Sequence, residues 1–264
     1  MRNYFKLELK KTLFSLKTLI FILIIILFIS VPYLREIGYI HPNFDGIDYF
    51  LNFYKISYVV YIIPLTSLIY CTTIIKEKEN GIMIKLFEVM GIKDYFIVKA
   101  IINFLINFLV VAISEVIILL YFIFKYGLNN RFLNINPILN ISSNYKFIYV
   151  SFMIILIAIS AASFATLVLG VVTAFKKKSL SVIFPVFYII ITGVFFGDLS
   201  LNNVISFNIL KLFSLLEINN NFFINSMVYD ICLILLGLLL LYFFFIKEIT
   251  KKNIFKYKDL IKSL

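Results

Sequence analysis

Long uncharged stretches alternate along the chain with short charged ones. Six apolar stretches lie at about 18–34, 56–75, 100–124, 147–175, 180–196 and 228–246. Each is continuous rather than alternating, so the dyadic pattern of a membrane barrel strand is missing. A helix needs some ~20 apolar residues to cross a bilayer core, and the six stretches therefore predict transmembrane helices. The fourth is long enough to tilt or project, and the fifth is short and carries Pro185. The first follows a basic start as a signal peptide would. However, "SVPYLREIG" after it offers no small-x-small cleavage site, so it reads as a retained span. The expected fold is all-α, a polytopic membrane protein whose single transmembrane domain fills residues 1–264.

The polar intervals set the expected orientation. With the N-terminus in the cytoplasm, nineteen of the 25 basic residues fall on the cytoplasmic pieces around 1–17, 76–99, 176–178 and 247–264. Six fall outside: Arg35, Lys55, Lys125, Arg131, Lys146 and Lys211. This positive-inside bias predicts an even number of spans with both termini cytoplasmic. It also accounts for the net charge of +11 as attraction to anionic lipid rather than to nucleic acid. Residues 1–17 predict an interfacial helix, with Phe5, Leu9, Thr12, Leu13 and Leu16 on one face, and 247–264 a basic tail. Of the outer intervals, 35–55 and 125–146 read as irregular exposed connections. In 197–227, Ile205, Ile209, Leu212, Phe213 and Leu216 have amphipathic helical spacing.

Composition narrows the class. The chain is 62% hydrophobic and 15% charged, with a mean hydropathy of +1.01. Soluble domains run closer to about 45–50% apolar and 25% charged. Heavy use of Ile, Asn, Lys, Phe and Tyr suggests AT-rich codons and a bacterial source, hence the bacterial plasma membrane. His41 is the single histidine, and Cys71 and Cys232 are expected near opposite membrane faces. Neither a metal site nor a disulfide framework is expected. No nucleophile elbow, paired acidic motif or histidine cluster supports an enzyme, and no catalytic residue is assigned.

One charged interval is internal: "IIKEKENGIMIKLFEVMGIKDYF" at 74–96. Ile82, Leu86, Val89 and Met90 form an apolar stripe with Lys85 and Glu88 roughly opposite. Gly91 breaks the pattern, and Asp94 is the expected N-cap of the next helix. The spacing predicts a short amphipathic helix, either solvated at the membrane surface or docking a partner. The residues Glu77, Glu79, Gly81, Leu86 and Gly91 resemble the cytoplasmic segment of membrane subunits of type-2 ABC transporters. Ile82 and Gly91 depart from the threonine and proline often found there. The resemblance implies a coupling helix built from Glu77, Glu79, Gly81, Ile82, Leu86, Val89, Met90 and Gly91. It also implies a separate ABC ATP-binding subunit in two copies, binding ATP and Mg, and a second permease subunit, identical or related. This chain lacks the phosphate-binding G-x-x-x-x-G-K-[ST] loop and needs no cofactor of its own. The implied activity is an exporter for a peptide, drug or lipid-like substrate, with antimicrobial peptide resistance as one role.

Polar residues inside the spans supply the other candidates. Asn103, Asn107 and Glu115 lie at multiples of four along the third span. A charge at that depth costs roughly 2.5–3.5 kcal/mol on insertion scales, so this face points at protein or a pathway. Glu115 is either a pathway residue or a helix–helix hydrogen-bond anchor. As an intramembrane relay it would fit the alternative, a secondary transporter. Ala162, Thr166 and Gly170, and separately Gly193 and Gly197, predict small-residue packing seams.

Overall fold

The computed structural model describes residues 2–35, 44–128, 146–192, 200–201, 205–206, 212–213 and 224–244. Its helices are α1 (Arg2–Leu13), α2 (Leu16–Arg35), α3 (Gly46–Ile56), α4 (Val59–Ile62), α5 (Thr73–Glu79), α6 (Ile82–Met90), α7 (Ile92–Tyr126), α8 (Lys146–Phe175), α9 (Leu180–Ile190) and α10 (Ile224–Phe244). A 3₁₀ segment, Ile63–Ile69, joins α4 towards α5; Pro64 in its first turn lacks the N–H that an α-helix would use.

Five segments are long and apolar enough to cross a membrane: α2, the run Val59–Glu79, α7, α8 and α10. The chain is thus a helical protein with several membrane-spanning-capable helices. The expected fifth span is represented by α9, whose eleven residues rise only ~16 Å. Gly193, Gly197, His41, most of 125–146 and the tail 247–264 lie outside the described residues.

Packing is uneven. The apolar window of α8 is 83% buried and that of α2 only 22%. Ser160, Ala161, Ala162, Ser163, Ala165, Thr166 and Gly170 are all buried on α8. Their small side chains let neighbours close in from several sides, which makes α8 the hub. Ser160 meets Asp230 and Thr166 meets Gly237, so α8 and α10 run in the same direction.

Two ends of the bundle can be told apart. At one, α1, α5, α6, the start of α7, the α8–α9 turn and the end of α10 converge. There Lys178 pairs with Glu79, and Lys78 and Lys176 lie 5.1 and 5.4 Å from the Phe244 ring centre. This is the lysine-rich end. The opposite end is closed by α3, and here the expectation of an exposed connection is corrected. Ile47, Phe50, Leu51 and Tyr54 of α3 are buried. Asp45 and Asp48 form a reciprocal capping box, so the aspartates that resemble a loop signal instead start a helix. Lys146 offsets one of their two charges, pairing with Asp45 and lying 3.6 Å from Asp48 Oδ2. A Cβ on Gly46 would meet the Phe122 carbonyl oxygen at 2.5 Å, so α3 touches the α7 backbone.

The amphipathic helix expected from Ile205 does not begin there. Ile205–Ser206 pairs antiparallel with Ser200–Leu201. Leu212 and Phe213 are buried; Ile209 and Leu216 lie outside the described residues.

Candidate functional site

The charged interval folds as two short helices with a glycine at each joint. Gly81 has φ +70° and Gly91 φ +80°, and a Cβ on either would meet nothing within 4 Å. Backbone conformation rather than space therefore calls for glycine. Gly91 precedes α7 directly, and Asp94 lies in the first turn of α7 instead of capping it, where it still complements the helix dipole.

The expected stripe on α6 splits into two faces. Met83, Phe87 and Met90 turn inward, with Phe87 edge-on to Tyr95 at 5.1 Å. Ile82, Ile84 and Val89 point away from the bundle, Val89 being 81% exposed. Leu86 is half-buried, and Lys85 and Glu88 are exposed. Met90 therefore anchors the helix, while Ile82 and Val89 form an outward ridge.

Behind this ridge lies a buried ionic cluster. Lys99, with 0% side-chain exposure, pairs with Glu8 at 2.9 Å and with Glu77. Tyr95 donates to Glu77 Oε2, and Tyr70 donates to Glu8 Oε1 at 3.1 Å. The Tyr4 hydroxyl reaches Glu77 Oε1 at 3.5 Å. The rings of Tyr4, Tyr70 and Tyr95 stand 5.4, 5.4 and 5.5 Å from the Lys99 ammonium, within cation–π range. Burial, and then the charges of Glu77 and Glu8, hold the Tyr4 hydroxyl well above the usual tyrosine range. The cluster ties α1, α5 and α7 together just before the Gly81 joint. Of its members, sequence reasoning singled out Glu77 alone. The missed signal was Glu8, an acid on an otherwise basic helix, one turn from Tyr4.

A second polar set occupies the helix interior. Glu115 and Asn103 and Asn107 are fully buried. Asn107 Nδ2 donates to the Asn103 carbonyl at 2.8 Å. Tyr54 from α3 lies 3.3 Å from Glu115 Oε1 and 2.9 Å from the Phe213 carbonyl. Its single proton serves one acceptor at a time. Sequence reasoning missed a matching acid on α10. Asp230 is 4% exposed and accepts from Ser160 at 2.8 Å. Glu115 Oε2, Asp230 Oδ1, Asn103 Nδ2 and Asn107 Oδ1 have no hydrogen-bond partner among the described residues.

The α8 seam meets Gly237. A Cβ on Gly170 would strike the Gly237 carbonyl at 2.5 Å, and one on Gly237 would strike that of Thr166 at 2.5 Å. Ala162 is buried one turn earlier, where its carbonyl accepts from the Thr166 hydroxyl at 2.9 Å. Gly237 was missed because it stands alone in a run of leucines.

No family model, curated protein or solved structure matches the chain.

Proposed function

We propose that this chain is the transmembrane permease subunit of an ATP-driven exporter of the ABC class, moving a peptide, drug or lipid-like substrate outward. Two copies of a separate ATP-binding subunit, carrying ATP and Mg, would supply the energy. A second permease subunit, identical or related, would complete the pathway. The observation that carries this reading is α6. It is held between two glycines of positive φ, anchored inward by Met83, Phe87 and Met90, and presents Ile82 and Val89 outward. An apolar ridge on a short helix at a bundle end needs a cover, and the cleft of an ATPase subunit is one. The cluster on Glu77 and Lys99 would carry a push on α6 into α1 and α7.

Six crossings in the bacterial plasma membrane, with the lysine-rich end in the cytoplasm, fit the same reading. Because α8 and α10 run in the same direction, the chain between them must return from the lysine-rich end to the other. The α9 helix starts that return. The basic pieces among the described residues gather at one end, as the positive-inside rule requires.

The test is co-purification in detergent with an ATP-binding-cassette subunit, sought first among the genes next to this one. The native protein is expected to retain the ATPase. Ile82→Arg plus Val89→Arg, both at exposed positions, are expected to release it without loss of helix content. Retention by the double variant would overturn the assignment of α6.

A secondary transporter is the second reading. The buried Glu115 and Asp230, each with an oxygen lacking a partner among the described residues, favour it. Transport that survives loss of the ATPase and collapses with the proton gradient would select it.

A further inference from the structure

At the lysine-rich end, α7 and α10 leave a groove of about 220 Å³ lined by Phe96, Ile97, Leu238, Leu241 and Tyr242, with Lys93 at its rim. The groove opens sideways: Ile97 is 40%, Leu238 43% and Tyr242 56% exposed. Leu238 lies about two turns before Phe244, the last described residue of α10, so the opening falls within the apolar span-capable stretch Ile224–Phe244. It is an apolar lateral slot between two helices long and apolar enough to cross a membrane.

Its rim is cationic. Lys93 is exposed and makes no ion pair among the described residues. Phe96, in the groove wall, packs edge-on against Phe244 at 5.8 Å, and Lys78 and Lys176 both lie over the Phe244 ring. Most of the acids at this end are already engaged: Glu79 by Lys178, and Glu8 and Glu77 by Lys99. Asp94 beside Lys93 and the exposed Glu88 on α6 are the other carboxylates at this end among the described residues. The local balance is positive, directly above an apolar slot.

We propose that this groove is a binding site for an anionic phospholipid. One acyl chain lies between α7 and α10, and the phosphodiester headgroup is met by Lys93 at the rim. A lysine at a membrane interface extends its stem along apolar surface and keeps its ammonium at headgroup level. Each such lysine favours anionic over zwitterionic lipid by about fivefold. The site depends on groove and charge alone and stands whatever molecule the protein moves.

The chain contains no tryptophan, so one introduced residue reports on one place. Leu238→Trp puts the probe in the groove wall. Leu23→Trp puts a control on the lipid-exposed face of α2, at comparable distance from the lysine-rich end. Each variant is reconstituted in vesicles containing brominated phosphatidylglycerol or brominated phosphatidylcholine, and quenching gives the relative affinity of the two lipids. The groove probe is expected to prefer phosphatidylglycerol several-fold, and the control to show a ratio near one. Lys93→Ala is expected to lower the groove preference about fivefold, and Lys93→Arg to keep it. Equal quenching by the two lipids at the groove would overturn the proposal, as would a preference unchanged by Lys93→Ala. So would a groove probe quenched by neither lipid, which would show the slot covered by protein such as a second copy.

Discussion

Two groups of acids in the chain are treated differently: the part-buried Glu8 and Glu77, and the buried Glu115 and Asp230. At the lysine-rich end, Glu8 and Glu77 share one buried ammonium and three tyrosine hydroxyls. In the helix interior, Glu115 and Asp230 each keep one oxygen with no partner among the described residues. The first arrangement is what a structural lock needs. A buried charge network is tolerable when nearly every lone pair and proton is used, and removing one member strands the rest. The second arrangement leaves capacity for a proton, a water or a polar group of a ligand. Under the proposed function, this difference would put mechanical coupling at the lysine-rich end and chemical response in the interior.

The comparison breaks most sharply at Lys99. Lys99→Met leaves two carboxylates facing each other without a cation. It is expected to destabilise the protein by about 3–5 kcal/mol, measured by chemical unfolding in mild detergent, and to release α1 to protease. Adding Glu8→Gln in the same chain is expected to restore part of the loss, because the repulsion falls. Equal stability of native protein and Lys99→Met would show that the cluster locks nothing.

Next in size is the joint beyond the cluster. Gly91→Ala places a Cβ in a conformation that side chains avoid and is expected to cost about 1–3 kcal/mol. Under the proposed function it should also stiffen α6 against α7, read as reduced ATPase stimulation in the assembled complex. An effect on stability with no effect on coupling would leave the joint purely structural.

Tyr54→Phe tests the bridge between α3, α7 and the Phe213 segment. Loss of its one donated hydrogen bond is expected to cost about 0.5–1.5 kcal/mol. Smallest of all on stability is Glu115→Gln. A carboxyl with a free oxygen loses little by becoming an amide, so the expected change is within about 1 kcal/mol. If either proposed reading holds, its effect should appear in transport instead. A destabilisation approaching that of Lys99→Met would erase the contrast between the two groups.

What the sequence determined by itself follows from the solvent. Water rejects twenty-residue apolar runs, so the five long apolar helices and the all-helical class were legible. The break at Gly91 was legible too, because glycine between periodic stretches interrupts a helix; Gly81 entered only through the family resemblance. The buried face of α6 was only half legible. Both of its faces carry apolar residues, and only packing against Tyr95 and Phe96 decided that Met83, Phe87 and Met90 turn inward. The α3 helix was misread because short-range signals in Gly46 and the aspartates describe a loop as well as a cap; the α7 backbone and Lys146 decided between them. Glu8, Glu77 and Lys99 stand up to 91 residues apart in the chain, and Ser160 and Asp230 stand 70 apart. No local pattern records such pairings. Electrostatic neutralisation in a low-dielectric interior is a property of which helices meet, and only the tertiary structure brought those helices together.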